Sequence, residues 1–349
     1  MAQVQKYFEK FNDQLRLGRF EENATLREKR DVIRQKLQDK LSQEFESHGE
    51  RCPSYRFCDQ GSYHLGTGIK PIGGDFDIDQ GVYFTLEDAE FTDPVLLKKR
   101  IRDSLAGHTK KVEIRGSCVT VFYQRENEDI YHVDLAVYRE GGTAGVLPKI
   151  GKGKEHSEGE YRLWETSDPS GLASWVFANL DDAGRHQLRR VVRYLKRWKD
   201  ERFVAAGNAA PTGIALTVAA RSQFVAEYSD YVAKTPNDLA CLRRIVENVA
   251  AEFVTYIDVD GAQFHRLKVT LPVQPYSDLL ERMSDSQSEA FYQKLSALKD
   301  ALADAEASVD PVDACNRLAA VFGSDFPVPD PSETAARVAP VILGSSASA

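Results

Sequence analysis

Apolar residues near the start of the chain recur at the spacing of an α-helix. Residues 1–48 contain no proline, and their apolar positions stand four or seven apart among many charged residues. These positions are Leu26, Ile33, Leu37, Leu41 and Phe45. Such spacing places the apolar side chains on one helical face. The pattern predicts a long amphipathic helix, or two helices, ending near Gly49.

The pattern then changes to short runs of β-branched and aromatic residues. Residues 55–57 and 82–84 form two short runs, and residues 112–123 and 130–138 form two longer ones that are separated by a polar turn. These residue types favour strands, and two runs joined by a polar turn favour a β-hairpin. A sheet is therefore expected within this part of the chain, with one helix inserted where Asp93 can act as an N-cap before Pro94.

Helical periodicity dominates from residue 161 onward. The predicted helices are 172–180, 186–202, 212–231, 237–253, 276–283 and 286–306. The change of period predicts an α+β fold with two lobes, a β-rich lobe with the N-terminal helix at 1–160 and a helical lobe at 161–324. Residues 139–160 are rich in Gly and Lys and predict a mobile loop that serves as a lid or binding element. Residues 325–349 are expected to be an extended or disordered tail.

Composition narrows the classes of function. The 349 residues are 42% hydrophobic and 28% charged, which is typical of a folded protein large enough for two cores. A formal net charge of −8 argues against a protein that coats nucleic acid. The five cysteines lack paired spacing and favour a reducing, cytoplasmic environment. No apolar run approaches the roughly 18 residues that span a bilayer, so no membrane insertion is expected.

Three aspartates are the first candidates for chemistry. Asp75, Asp77 and Asp79 alternate with Phe76 and Ile78, so a strand would place the carboxylates on one face and the apolar side chains on the other. Aligned carboxylates repel each other unless a cation neutralises them, and oxygen ligands suit Mg²⁺. A solvated edge strand and a calcium-binding acidic loop are alternatives that this string alone leaves open.

Two further features favour catalysis. Gly61 and Ser62 form a turn that can offer backbone N–H groups and a hydroxyl to a triphosphate, because helix N-termini bind anions. Asp134 is a lone carboxylate in an apolar strand, where burial is costly unless it is paired or binds a metal. Together these features predict metal-dependent phosphoryl or nucleotidyl transfer.

The predicted helix 186–202 carries two stripes at helical spacing. The apolar stripe consists of Leu188, Val191, Leu195 and Trp198, and the basic stripe consists of Arg189, Arg193 and Lys196. The first stripe is expected to face a core. The second, taken by itself, is typical of a solvated basic face.

Together these motifs resemble the polymerase-β-like nucleotidyltransferases, and most closely the bacterial cGAS/DncV-like nucleotidyltransferases (CD-NTases). The resembling segments, within residues 1–310, are 61–63 with 66–67, 77–84, 132–134, Trp164 with 167–169, 193–198 and 271–279. The resemblance implies a bilobal fold with a long N-terminal helix, a sheet-based catalytic lobe and a C-terminal helical lobe.

The resemblance also implies a metal site. It makes Asp77, Asp79 and Asp134 the catalytic carboxylates and the ligands of two Mg²⁺ ions, with Mn²⁺ as an alternative metal. Asp75 is a neighbour of these ligands, and whether it binds metal itself needs a test. Gln80 stands where some relatives carry an acidic residue, a departure that leaves the implied metal ligands intact.

Nucleotide contacts follow from the same resemblance. Gly61 and Ser62 are expected to hold the triphosphate, together with Lys196, which the family uses as a point charge for this purpose. Thr212 is a further expected nucleotide contact. His132 is expected to be a structural or base-contacting residue near Asp134 and not a general base.

The implied function is synthesis of a cyclic oligonucleotide, expected to be a cyclic dinucleotide, from triphosphates such as ATP and GTP. By resemblance this second messenger serves bacterial anti-phage signalling. The expected partners are nucleoside triphosphates. By resemblance, regulatory proteins of the same defence system could dock on the C-terminal tail, although the residues themselves favour an unstructured tail without a function. A monomer is expected, with no membrane and no obligatory nucleic acid. The alternatives are a linear nucleotidyltransferase, oligoadenylate-like or acting on RNA or protein, and an inactive nucleotide-sensing scaffold.

Overall fold

A mixed β-sheet organises the first half of the chain. The structure, a computed structural model, describes residues 3–17, 21–73, 76–87, 89–125, 128–141, 145–203, 210–257 and 261–331. Within these residues the sheet has seven strands. They are β1 (Tyr55–Asp59), β2 (Phe76–Thr85), β3 (Lys111–Ile114), β4 (Cys118–Arg125), β5 (Glu128–Glu140), β6 (Lys149–Gly151) and β7 (Trp164–Thr166).

The order of the strands places β2 and β5 side by side at the centre. These two run parallel, whereas β1 pairs with β2 and β4 pairs with β5 in the antiparallel sense. β3 lies beyond β4, and β6 joins β5 to β7. The predicted hairpin is confirmed as β4 and β5, but the predicted run 112–123 forms two strands, β3 and the first part of β4, joined by a turn. The central parallel pair carries the candidate aspartates.

Helices cover the sheet and build the second half of the chain. They are α1 (Gln5–Leu15), α2 (Glu21–Ser47), α3 (Gly61–Leu65), α4 (Pro94–Ser104), α5 (Pro169–Phe177), α6 (Asp182–Arg202), α7 (Gly213–Ser222), α8 (Asp238–Ala251), α9 (Asp285–Ala307) and α10 (Pro311–Phe322). Asp93 and Asp168 cap α4 and α5, each accepting a backbone N–H at 2.8 Å before a proline in the first turn. The N-cap assignments at these two aspartates are confirmed.

The buried apolar residues form two large clusters. One lies between the sheet, α2 and α4, and includes Leu37 and Ile78. The other lies among α1, α6, α8, α9 and α10, where Phe11 stacks on Tyr194 with ring centroids 5.4 Å apart. Of the two alternatives for the N-terminal segment, one long helix or two, the structure has two, and α1 packs in the helical core. It therefore lies with the helical lobe and not in the 1–160 lobe, because its aromatic face is covered by α6.

Part of the predicted loop at residues 139–160 belongs to the sheet. β5 continues to Glu140, and β6 pairs with β5 on one side and with β7 on the other. The tail predicted from residue 325 begins with a packed segment, because Phe326 is 2% exposed and its ring lies 5.0 Å from that of Phe11. Residues 142–144 and 332–349 lie outside the described residues.

Several helix predictions in the second half are corrected. The helix predicted at 212–231 ends at Ser222 and is followed by the short strands β8 (Tyr228–Asp230) and β9 (Thr235–Pro236). Residues 276–283 form turns, and another hairpin, β10 (Val254–Ile257) with β11 (Gln263–Arg266), precedes them. α10 was absent from the prediction. Within the described residues, no helix combines the length and apolarity that crossing a membrane requires.

Candidate active site

The parallel pairing of β2 and β5 brings the candidate carboxylates together. Asp77 stands opposite His132, and Asp79 stands opposite Asp134. Asp77, His132 and Asp134 can each direct one ligand atom so that all three atoms lie within 4.8 Å of one another. The His132 Nε2 atom is 3.6 Å from Oδ1 of Asp77. This set of two carboxylates and one imidazole at a partly exposed surface can hold a divalent cation.

Asp134 is oriented from the neighbouring strand. Thr120 on β4 is its direct cross-strand partner, and the buried Thr120 hydroxyl donates a hydrogen bond of 2.5 Å to Oδ1 of Asp134. A carboxylate has two oxygens and about four lone-pair sites, so this bond fixes one oxygen and leaves acceptor capacity for a cation. Thr120 therefore sets the direction of the Asp134 carboxylate.

Asp79 lies against the turn that begins α3. A Cβ atom at Gly61 would be 1.7 Å from Oδ2 of Asp79, and Gly61 has φ +60°, a left-handed backbone conformation. Both facts require glycine at this position. Burial raises the pKa of Asp79 to about 6, with a further contribution from the charge of Asp134. A bound cation would stabilise the ionised form of Asp79 against both its burial and the repulsion from Asp134.

The α3 turn presents its polar groups to a cavity. β1 leads into Gln60, whose N–H donates to the carbonyl of Asp79 at 3.1 Å, and the turn closes at Gly66 with φ +65°. The cavity, about 590 Å³, is large enough for a nucleotide. The predicted site residues on its wall are Gly61, Ser62, Asp77, Asp79 and Lys196.

Lys196 reaches the cavity from α6 in the helical core. Its Nζ atom donates to the carbonyl of Thr67 at 3.2 Å, just beyond the α3 turn. Burial lowers the pKa of Lys196 to about 8, an effect that the charges of Asp79 and Asp77 partly oppose. A triphosphate beside this ammonium would raise its pKa again, since an opposite charge favours the protonated form.

Asp75 and Thr212 are the remaining residues that the sequence predicted near the site. Asp75 lies outside the described residues. Thr212 is the N-cap of α7, where its hydroxyl accepts the Ala215 N–H at 3.2 Å, and it lines a neighbouring cavity and not the candidate catalytic cavity beside Asp77 and Lys196. The next residue, Gly213, lines the candidate catalytic cavity. A nucleotide contact from Thr212 itself stays a prediction.

Other contributors were missed or left aside by the sequence analysis. His132 was assigned no metal, although it shares a strand face with Asp134. Thr120 was not considered, because nothing in its own run distinguishes it from other strand threonines. Thr67 and Thr217 also line the cavity. The contact of Thr120 with Asp134 follows from the pairing of β4 with β5, and the contact of Thr67 with Lys196 follows from the approach of α6 to the α3 turn.

Comparison with known proteins finds one family model that matches part of the chain. The sequence model for the nucleotidyltransferase domain of cyclic GMP-AMP synthase DncV-like proteins matches residues 55–138. This segment is therefore similar to a DncV-like nucleotidyltransferase domain. The matched segment contains β1, α3, β2 and most of β5, and so it carries Gly61, Ser62 and all three catalytic candidates. The match agrees with the family that the motifs resemble.

Similar proteins extend the match beyond this segment. A cyclic GMP-AMP synthase from Escherichia albertii is 28% identical over 173 residues, which are 47% of this chain and 36% of that protein. The crystal structure of the DncV cyclic AMP-GMP synthase from Vibrio cholerae has a TM-score of 0.69 at 18% identity, covering 94% of this chain and 98% of that one. The same enzyme in complex with the linear intermediate 5′ pppA(3′,5′)pG has a TM-score of 0.67 at 18% identity, over 92% of this chain and 95% of that one. The likeness confirms the α+β, polymerase-β-like fold.

Proposed function

We propose that this nucleotidyltransferase joins nucleoside triphosphates into a cyclic dinucleotide second messenger and releases pyrophosphate at each bond. The observation that carries the proposal is the meeting of Asp77, Asp79 and Lys196 with the Gly61-Ser62 turn around one cavity. The sheet supplies the carboxylates, the turn supplies the hydroxyl, and the helical core supplies the positive charge. The relatives whose names state cyclic GMP-AMP or cyclic AMP-GMP synthesis support the same reaction.

The donor set fits divalent cations. Asp77, Asp79 and Asp134 are oxygen ligands, and burial together with the charge of Asp134 raises the pKa of Asp79, so a bound cation would stabilise its ionised form. Two Mg²⁺ ions, or Mn²⁺, held by these side chains would stabilise charge on the triphosphate and lower the pKa of the acceptor hydroxyl. His132 is placed to complete the set through Asp77.

The other residues align the reactants. The hydroxyl of Ser62 and the ammonium of Lys196 would orient the triphosphate so that the acceptor oxygen lies in line with the leaving group. A bond then forms from the ribose hydroxyl oxygen to the α-phosphorus. The bond to the bridging oxygen breaks, pyrophosphate leaves, and the hydroxyl proton passes to solvent. A second such step on the linear intermediate closes the ring, so catalysis is mainly alignment and electrostatic stabilisation.

Product analysis tests this proposal. The purified protein is incubated with ATP and GTP, singly and mixed, with Mg²⁺, and the mixture is treated with phosphatase before mass spectrometry. A phosphatase-resistant cyclic dinucleotide is expected, and the Asp77→Asn/Asp79→Asn variant should make none. A phosphatase-sensitive chain, or label on added RNA or protein, would instead support a linear nucleotidyltransferase. Loss of product on EDTA treatment, restored by Mg²⁺, checks the metal.

The biological setting is part of the proposal. The family resemblance supports a role in anti-phage signalling in the cytoplasm, and the free state of all five cysteines agrees with a reducing compartment. Regulatory proteins that act through the C-terminal tail, and a monomeric state, remain predictions. A bacterial host that expresses the protein with its neighbouring genes should resist phage, and the Asp77→Asn/Asp79→Asn variant should not.

Thr120→Val should lower the turnover rate about tenfold, because Asp134 loses the hydrogen bond that orients it. The replacement keeps the shape of the side chain and removes only the hydroxyl. The diagnostic measurement is the rate of pyrophosphate release as a function of Mg²⁺ concentration. A positioning role requires a higher half-saturating Mg²⁺ concentration in Thr120→Val and a return towards wild type in Thr120→Ser. An unchanged Mg²⁺ dependence would show that Thr120 contributes only to packing.

A further inference from the structure

A second cavity adjoins the α3 turn. It has a volume of about 500 Å³ and shares Ser62 and His64 with the catalytic cavity, while its remaining described lining residues are different. It lies between the end of α1, the first half of α2, the α3 turn and α6. Its wall contains Arg16, Arg27, Arg189, Arg190 and Arg193. We call it the arginine cavity.

The charge of the arginine cavity is poorly balanced. Arg190 is paired with the buried Asp238, with Nε and Oδ2 2.6 Å apart. Asp13 is the one carboxylate among the described residues on the wall, and it faces four other arginines. Arg16 and Arg27 are exposed and have no ion pair within the described part of the chain. Among the described residues of this wall, about three positive charges are therefore without a counter-charge.

Arg193 adds a buried donor to this imbalance. It is 5% exposed, and its terminal nitrogens donate to the Asn12 side chain at 2.6 Å and to the Gly66 carbonyl at 2.5 Å. Its Nε atom is buried with no hydrogen-bond partner. Burial, followed by the charge of Arg16, lowers the pKa of Arg193 to about 10. A buried guanidinium beside like charges is costly, and a bound anion would offset that cost.

We propose that the arginine cavity binds a condensed phosphate, such as inorganic pyrophosphate or tripolyphosphate. Guanidinium groups match phosphate oxygens with paired hydrogen bonds, and several of them converge here on one space. The volume exceeds what one orthophosphate requires, and the unbalanced charge matches an ion that carries three or more negative charges.

Binding in the arginine cavity would affect the α3 turn, because arginines of this cavity contact the turn. Arg189 Nε donates to the carbonyl of Leu65 at 3.0 Å, and Arg193 holds the carbonyl of Gly66, so both arginines contact the end of α3. Ser62 lies on the walls of both cavities. A condensed phosphate that engages these guanidinium groups would therefore change the affinity of the catalytic cavity for triphosphate. This coupling rests on the proposed function, whereas binding itself does not.

Calorimetric titration with inorganic pyrophosphate tests binding directly. EDTA is present and nucleotides are absent, so neither the divalent metal nor catalysis enters the result. The variant Arg16→Gln/Arg27→Gln changes two exposed side chains and should bind at least about tenfold more weakly than wild type, because charge-assisted hydrogen bonds are lost. The charge-matched control Arg317→Gln/Lys299→Gln, on α9 and α10, should bind like wild type. Lys196→Met, which alters the catalytic cavity, should also retain binding.

The outcomes separate the two cavities. Binding that is lost in Lys196→Met and kept in Arg16→Gln/Arg27→Gln would place pyrophosphate in the catalytic cavity and overturn the proposal. Absence of binding to wild type would also overturn it, as would equal affinity for orthophosphate. Should Arg16→Gln/Arg27→Gln lose its far-ultraviolet circular dichroism, Arg189→Gln takes its place with the same expected loss. A protein that makes cyclic dinucleotide but fails this titration refutes the arginine-cavity proposal alone.

Discussion

Replacing Asp134 with asparagine is expected to lower the rate of nucleotide joining about a thousandfold, equivalent to about 4 kcal/mol of transition-state stabilisation. The substitution removes a negative charge from the group formed with Asp77 and His132 and keeps the shape of the side chain. The amide oxygen can still accept the Thr120 hydroxyl, so the strand pairing should persist. The loss is therefore expected in turnover and not in folding.

The same substitution should leave thermal stability unchanged or raise it. The pKa of Asp79 is raised by burial and then by the charge of Asp134, so removing that charge relieves a repulsion between two carboxylates in the folded protein. Product formation and circular dichroism melting measure the two effects, with Asp300→Asn on α9 as a control for the loss of a surface carboxylate. If the Asp134→Asn variant keeps its activity, Asp134 is not a required metal ligand. An unfolded one would show that the carboxylate is structural.

The sequence predicted the main elements of the site because its local patterns were strong. The alternation of aspartates with Phe76 and Ile78 located β2, and both apolar residues are buried while Asp77 is exposed. Periodicity could not decide which aspartates act, since the alternating pattern alone predicts one strand face for Asp75, Asp77 and Asp79 alike. The family resemblance supplied that choice. The register of β2 with β5 agrees with it by placing Asp79 beside Asp134.

Local sequence patterns could not predict the contacts between distant parts of the chain. The basic stripe of α6 was open to interpretation as a solvated face, yet its members donate to three consecutive carbonyls just past the catalytic turn. The pairs are Arg189 with Leu65, Arg193 with Gly66, and Lys196 with Thr67. These residues are more than a hundred positions apart in the sequence. These hydrogen bonds form only because α1 and α6 pack against the end of α3. The basic stripe of α6 then connects the sheet to the helical core.

Thr212 shows an ambiguity that the local sequence leaves open. A threonine before a glycine and a helix suits both a nucleotide contact and an N-cap, and the structure uses its hydroxyl for the cap. The adjacent Gly213 is the residue on the cavity wall, where a Cβ would be 3.4 Å from Cε of Lys196. The family resemblance placed this segment near the nucleotide. It could not decide which atom faces the cavity.

Lys196→Met should reduce kcat/KM for nucleoside triphosphates by about 10- to 100-fold, mainly through a higher KM. A hydrogen bond from a charged donor contributes about 1.5–3 kcal/mol, which corresponds to that range. Methionine retains the apolar stem that packs near Gly213 and removes the ammonium that lies among Asp77, Asp79 and Thr67. Steady-state kinetics over a range of ATP and GTP concentrations separates the two parameters.

Lys199→Met provides the matched control for this prediction. Lys199 lies on the same helix and pairs with Asp200, with Nζ and Oδ1 2.8 Å apart, so the variant loses the same charge away from the cavity wall. It should keep the wild-type KM. Equal effects in the two variants would mean that the general positive potential of α6 attracts the nucleotide. An unchanged KM in Lys196→Met would show that the triphosphate is held by the α3 turn and the metal ligands without this lysine.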